Sequence, residues 1–176
     1  MEMSKKRAGR RAGGTLLGLA AMAAVIAPAS HAGASTAFGR FTTLPAGTDM
    51  GMEIEGIALV NRTAGGTSGR VVVLGLEPGR TYAAHLHAAA CDNPGNPGGG
   101  HYQDHTPPPT APPNELWFSS TSDPTAGITA NRAGVAVGRG SAEWVARAQA
   151  RSVVIHFIPT GGTTAGGPKI ACADLS

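Results

Sequence analysis

Most of the chain after residue 50 consists of short apolar runs separated by Gly, Pro and Asn. In residues 52–61, every second position from Met52 to Val60 is apolar or glycine, which is the period of a half-buried strand. Residues 152–158 are almost continuously apolar and rich in β-branched side chains, which predicts a strand buried on both faces. Further strands are predicted at residues 70–75, 81–87, 116–119, 127–130 and 134–137. No long window has helical periodicity, so the predicted fold class is all-β.

Turn signals separate these strands at short intervals. Glu77-Pro78-Gly79-Arg80 predicts a hairpin that joins strand 70–75 to strand 81–87. Residues 131–134 predict a second turn, and residues 141–151 are compatible with one helical turn. About seven short strands with regular turns are typical of a β-sandwich or a small barrel.

Two long segments have no strand pattern. Residues 88–115 are dominated by Pro, Gly, Asn and Thr and contain Cys91, His101 and His105. A loop of this length inside a compact domain is usually functional or disordered. A second Gly- and Thr-rich loop, residues 159–169, leads to Cys172.

The amino terminus has the layout of a secretory signal peptide: a basic start, an apolar run over residues 15–27, and then small residues. Cleavage after Ala29, Ala32 or Ala34 fits the small side chains that a signal peptidase reads. The apolar run is shorter than the roughly 20 residues of a membrane-spanning helix. We therefore predict a signal peptide at residues 1–34, one domain at residues 35–176, no membrane span after cleavage, and an exported protein.

Export has two further consequences. Outside residues 1–34 the chain has nine basic and ten acidic residues, so the basic excess lies in the leader and does not indicate nucleic-acid binding. The two cysteines, Cys91 and Cys172, would meet an oxidising compartment, which favours a disulfide. The alternative is a pair of thiolate metal ligands.

Four histidines indicate a metal site. His85 and His87 alternate in a predicted strand, so their imidazoles project from one face about 7 Å apart. His156 ends another apolar strand, and His101 follows three glycines that give the backbone freedom to fold over the site. Imidazole-rich sites suit copper, zinc and iron, and three or four imidazoles in a square or trigonal arrangement favour copper.

Several segments resemble, in order, the copper/zinc superoxide dismutase family, and among its members the copper-only, secreted ones. These segments are GRVVVLGL at residues 69–76, HLH at 85–87, GGHY at 99–102, GITAN at 127–131, VVIH at 153–156 and KIAC at 169–172. The resemblance implies a Greek-key β-sandwich or barrel of about eight short antiparallel strands with long loops. It also implies an oxidoreductase that uses copper to convert superoxide to dioxygen and hydrogen peroxide.

The resemblance assigns roles to individual residues. It implies that His85, His87 and His156 are permanent copper ligands, and that His101 is the histidine that bridges copper to zinc and passes a proton to superoxide. It also implies a disulfide between Cys91 and Cys172.

The chain departs from the family at the zinc site. His105 follows His101 sooner than usual, Pro112 stands near the place of a further histidine, and Glu115 replaces the zinc aspartate. A closed zinc site has four ligands and at most three are present here, so zinc is not expected. In the copper-only members a carboxylate orients the otherwise bridging histidine, which makes Glu115 the candidate partner of His101, with His105 as a second candidate. The alternative for Glu115 is a solvated loop acid.

Lys169 replaces the arginine that guides the anion in the family. A lysine keeps the positive charge but lacks the planar fork that orients a small anion, so we expect weaker catalysis. The sequence therefore leaves a second function open, a non-catalytic copper-binding protein that acts as a chaperone or buffer. A third reading is a structural module without metal. The oligomeric state is not predicted.

Overall fold

The structure, a computed structural model, describes residues 34–105, 114–121, 126–160 and 167–176. Its strands and its single short helix follow one another along the chain in this order: β1 Ser35–Thr43, α1 Pro45–Asp49, β2 Glu55–Thr63, β3 Gly66–Leu74, β4 Thr81–His87, β5 Ile128–Thr129, β6 Ala136–Ala142, β7 Ser152–Phe157 and β8 Lys169–Asp174. The predicted all-β class is confirmed. Among the described residues, no helix is long and apolar enough to cross a membrane.

The eight strands form one antiparallel sheet in the order β5-β4-β7-β8-β1-β2-β3-β6. The two ends of the sheet approach each other, and residues 116–119 pair with β4 near one end and with β6 at the other end. Phe118 N–H donates to the carbonyl of Ala84 in β4, and Ser119 exchanges backbone hydrogen bonds with Arg139 in β6. The result is a nearly closed barrel. The connections from β3 to β4 and from β6 to β7 cross it in the Greek-key manner.

The barrel interior is filled by side chains that alternate inward along the strands. Tyr82, Phe118 and Ile155 are fully buried there. β2 and β3 bury one face and leave the other partly exposed, whereas β4 and β7 are buried at nearly every position. The outer faces of β4 and β7 are therefore covered by loops, and this covered outer face carries the histidines.

The predicted hairpin is wrong. The turn at Glu77–Arg80 exists, with a hydrogen bond from Arg80 N–H to the carbonyl of Glu77, but β3 and β4 do not pair with each other. Leu76 N–H and Gly79 N–H instead donate to the carbonyls of Gly134 and Ala130. Those bonds carry the chain across the end of the barrel, so the turn joins strands on opposite sides.

Other predictions differ in their extent. β1 and β8 were not predicted, because small residues such as Gly39 and Ala171 face inward and give little hydrophobic signal. At Gly39 a Cβ atom would come within 2.3 Å of the Asp174 carbonyl oxygen, so the close approach of β1 and β8 requires glycine. The compatible helical turn at residues 141–151 does not form, and β6 occupies the first two of those positions. Residues 1–33 of the leader predicted at residues 1–34 lie outside the described residues, and so does Pro112.

Candidate metal centre

Three imidazoles are positioned by two paired strands. In β4, Tyr82, Ala84 and Leu86 point into the core, so His85 and His87 lie on the outer face. The ladder between β4 and β7 aligns His85 with Val154 and Ala83 with His156. His156 is therefore the diagonal neighbour of His85 on the same face, at a distance that two imidazole side chains can span.

His101 is brought to the same face by the loop after β4. His101 forms an isolated bridge with His87, flanked by hydrogen bonds from Ala88 N–H to the Gly100 carbonyl and from Tyr102 N–H to the Leu86 carbonyl, both 2.9 Å. Residues paired in this way have their side chains close together. The preceding Gly98 has a φ of 73°, and a Cβ atom there would lie 2.6 Å from Val154, so the glycine is required for this approach.

The four imidazoles form one compact group. One nitrogen from each of His85, His87, His101 and His156 lies within 4.8 Å of the others, and this is the one such group of three or more ligand-type side chains among the described residues. The His87 and His85 rings stack with centroids 4.8 Å apart. His85 and His87 are fully buried, His156 is 4% exposed, and the His101 side chain is 23% exposed. His101 is thus the member that faces solvent.

The hydrogen bonds of the cluster leave its inward nitrogens as bare acceptors. His87 Nδ1 lies 3.1 Å from the Gly99 carbonyl and His156 Nδ1 lies 2.8 Å from the Gly167 carbonyl. Because a carbonyl only accepts, both Nδ1 atoms carry the proton. Each Nε2 then has a lone pair, and the two Nε2 atoms are only 3.1 Å apart. Two lone pairs at that distance repel unless a cation lies between or beside them.

His85 gives a second sign of a missing partner. Neither of its ring nitrogens has a hydrogen-bond partner among the described residues, although the side chain is fully buried. Leaving a buried polar atom unpaired costs about 1–3 kcal/mol. A metal ion would satisfy one of these nitrogens, so the residues fit a bound cation.

The three buried imidazoles of the cluster, those of His85, His87 and His156, are neutral near pH 7. Burial lowers the pKa of His85 and His156, and burial together with the neighbouring charge of His156 lowers the pKa of His87 to about 3. Neutral imidazoles are the form that binds metal. These three imidazoles therefore offer unprotonated nitrogen donors without having to release protons.

Glu115 is the acceptor at the outer side of the cluster. Its carboxylate lies 3.1 Å from His101 Nδ1, and it also accepts from Gln103 Nε2 at 3.2 Å and Trp117 Nε1 at 3.1 Å. The hydrogen bond from His101 is the main cause that lowers the pKa of Glu115. The carboxylate is therefore charged and accepts the proton that His101 carries on Nδ1.

His105 does not join this group. Its side chain is 70% exposed, and its Nδ1 lies 2.8 Å from the Asp104 carboxylate. Its backbone N–H donates to the side chain of Asn114. Of the two predicted partners of His101, the structure thus brings Glu115 to it and leaves His105 outside.

Lys169 begins β8 beside the cluster. Its ammonium group donates to Asn96 Oδ1 and to the carbonyls of Pro97 and Gly99, which uses all three of its protons. Burial lowers the pKa of Lys169. Lys169 therefore ties the loop that carries Gly99 to β8, and its predicted role as an anion guide stays a prediction.

The predicted disulfide is confirmed. Cys91 and Cys172 are joined with a Cα–Cα distance of 5.7 Å and a sequence separation of 81. Cys91 N–H also donates to the Asp174 carboxylate at 2.7 Å. The first residues of the loop that carries His101 are therefore tied to β8.

Sequence reasoning missed two neighbours of the cluster, Gln103 and Trp117. Gln103 and Trp117 each lie two residues from a predicted site residue, His101 and Glu115 respectively. In extended backbone such residues point to the same side. The two-residue period of an extended chain could have pointed to both residues. It becomes informative only when the isolated bridges at His101 and Trp117 show that the backbone is extended there.

No protein-family model and no curated protein matches this chain. Among solved structures, a Cu/Zn superoxide dismutase from Brucella abortus is similar, with a TM-score of 0.49 and 19% sequence identity. The match covers 81% of this chain and 100% of that chain. An identity this low assigns no activity, so the chemistry of the site has to come from its own residues.

Proposed function

We propose that His85, His87, His101 and His156 hold one copper ion. The observation that carries this proposal is the distance of 3.1 Å between the Nε2 atoms of His87 and His156. Backbone carbonyls hold the proton of each ring on Nδ1, so both Nε2 atoms carry a lone pair. The unpartnered nitrogens of His85 add to it. A cation among the four nitrogens relieves both defects.

The donor set favours copper over zinc. All four donors are imidazoles, and Glu115 is engaged with His101, Gln103 and Trp117 in the way that a carboxylate orients a ligating histidine. Structural zinc sites are closed tetrahedral sets in which thiolates are common, and both cysteines here form the disulfide. We therefore propose copper without zinc.

We further propose that the protein is an exported superoxide dismutase, with residues 35–176 as the enzyme after removal of the signal peptide. Bound copper would supply one-electron chemistry by cycling between Cu(II) and Cu(I). The chain would supply three buried imidazoles that fix the site, together with the partly exposed His101, which can exchange a proton with solvent. Superoxide is the substrate, and dioxygen and hydrogen peroxide are the products.

The assay must separate catalysis from free copper. We would load the purified protein with one equivalent of Cu(II), remove unbound metal and follow superoxide consumption by stopped flow. The matched variants are His156→Ala in the cluster and His105→Ala outside it. We expect loss of activity in the first and wild-type activity in the second. Stoichiometric copper without superoxide loss above the free-ion background would contradict the enzyme.

One observation favours a second candidate, a non-catalytic copper-binding protein. The ammonium group of Lys169 is fully engaged with loop carbonyls, so it is poorly placed to orient an incoming anion. A copper chaperone or buffer needs no such group. In the same assay this candidate predicts bound copper, no superoxide consumption, and transfer of copper to an added chelator within minutes.

A further inference from the structure

Trp117 is set against the cluster by the backbone. Trp117 pairs with His85 as an isolated bridge, flanked by hydrogen bonds from Leu86 N–H to the Leu116 carbonyl at 3.1 Å and from Phe118 N–H to the Ala84 carbonyl at 2.8 Å. This is the close type of antiparallel pair, in which facing side chains touch. Since Leu116 and Phe118 point into the core, Trp117 has to point outward onto His85.

The indole contacts two imidazoles with its ring. Its centroid is 4.3 Å from that of His85 at an interplanar angle of 46°, and 5.9 Å from that of His101 at 83°. The first is a close tilted contact and the second is edge-to-face. Such aromatic contacts add about 0.5–1.5 kcal/mol beyond the area they bury, which restricts the rotamers of both histidines.

The indole also acts through its N–H. Trp117 Nε1 donates to the same carboxylate oxygen, Oε2, that accepts from His101 Nδ1, both at 3.1 Å. The second oxygen accepts from Gln103. Trp117 therefore holds the Glu115 oxygen to which His101 donates, and that oxygen keeps the His101 proton on Nδ1. The indole itself cannot bind a metal.

We propose that Trp117 is a positioning residue of this site. Its N–H holds Glu115 on Nδ1 of His101, and its ring holds His85 and His101 in the orientations in which they face the other imidazoles. The part that concerns metal affinity rests on the proposed copper site, whereas the part that concerns the His101 tautomer does not. The role differs from that of Glu115, which accepts a hydrogen bond directly from His101.

The informative variant is Trp117→Phe, which keeps an aromatic ring on His85 and removes the N–H donor. Trp144→Phe is the matched control, because it changes the other tryptophan, which packs on Tyr102 with centroids 5.9 Å apart. Gln103→Leu is a second variant, which removes a donor from the other Glu115 oxygen and leaves the indole in place. It keeps the test usable if Trp117→Phe does not fold.

The first readout is nitrogen-15 NMR of the histidine side chains in the metal-free protein. In the wild type we expect a His101 proton on Nδ1 that exchanges slowly with solvent. In Trp117→Phe we expect its exchange to accelerate roughly tenfold, the scale of one hydrogen bond to a charged acceptor. Gln103→Leu should give a smaller acceleration, and Trp144→Phe none.

The second readout is Cu(II) affinity by competition with a chelator. We expect Trp117→Phe to weaken binding about tenfold, the lower end of the effect of removing a partner behind a ligand, and to change the Cu(II) spin-resonance spectrum. Unchanged exchange of His101 in both Trp117→Phe and Gln103→Leu would overturn the proposal. A wild-type protein that binds no copper, yet shows the exchange effect, would overturn the copper site while supporting the positioning role.

Discussion

The two edges of β4 hold their functional side chains in different ways. On one edge, β7 pairs with β4 at six successive positions and presents His156. On the other edge, His101 and Trp117 come from the long connection between β4 and β5 and are each held by a single bridge. The ladder fixes His156 through the sheet itself. His101 depends in addition on glycines, a disulfide and Glu115, so the two edges are expected to respond differently to change.

The largest effect is expected from the disulfide, which anchors the loop edge. Replacing both cysteines by serine, Cys91→Ser with Cys172→Ser, removes a cross-link over 81 positions and should lower the free energy of unfolding by about 4 kcal/mol. The measurement is urea unfolding of the oxidised wild type and the double variant. A loss below 1 kcal/mol would mean that the loop edge is held by its hydrogen bonds alone.

Removal of a ladder-held imidazole comes next. His156→Ala should weaken Cu(II) binding by about 100-fold or more, because a ligand fixed by the sheet has no substitute; metal-site losses of 10–100-fold already follow from changes behind a ligand. The affinity is measured by chelator competition. His105→Ala, which changes an exposed histidine, is the control and should bind like the wild type. Equal affinities for the wild type and His156→Ala would place the metal elsewhere.

The buried edge also predicts a pH dependence for the metal-free protein. The pKa values of His85, His87 and His156 are lowered in the folded state by burial, whereas in the unfolded chain histidine titrates near pH 6.5. Below about pH 6.5 the unfolded chain therefore binds more protons, and the stability that is fully present above that pH is lost as the pH falls. For His87, whose folded pKa is about 3, the loss approaches about 1.4 kcal/mol per pH unit between that value and pH 6.5.

This slope is best measured between pH 6.5 and 4.5, above the range where most carboxylates titrate. Urea unfolding at each pH gives the free energy, and His87→Gln should reduce the slope by about 1.4 kcal/mol per pH unit. A stability that stays flat across this range would show that the imidazoles are charged or solvated in the folded protein.

The smallest effect is expected at Lys169, which holds the loop from the β8 side. Lys169→Met removes the donors to Pro97 and Gly99 and should speed hydrogen exchange of the loop amides roughly tenfold. Copper affinity should change by less than about threefold, because His87 is still held in place by its strand, β4. Lys169→Arg should restore most of the protection. Unchanged exchange in Lys169→Met would leave the lysine without a role in the loop.

The same contrast explains what could be predicted from the sequence. The β4 boundaries and the common face of His85 and His87 follow from the two-residue period, and β7 follows from its apolar run. The path from β3 to β4 could not be predicted, because the turn at Gly79 has the local chemistry of a hairpin and only the bonds to residues 130–134 send it across the barrel.

At the loop edge, the contact between His101 and Glu115 was expected only from the resemblance. Nothing in the sequence period brings these residues together, because they are 14 positions apart in a Pro-rich connection without a strand pattern. The role of Trp117 could not be predicted from the sequence period either. Its contact with His85 depends on an isolated bridge, which no local pattern encodes.

The most direct test of the central claim is a count of the imidazoles bound to copper. Pulsed electron spin resonance and X-ray absorption on the Cu(II)-loaded protein should give four imidazole nitrogens in the wild type, three in His101→Ala and four in His105→Ala, with one copper per chain. A spectrum dominated by backbone or carboxylate donors, or one unchanged by His101→Ala and His156→Ala alike, would contradict a copper site built from these four histidines.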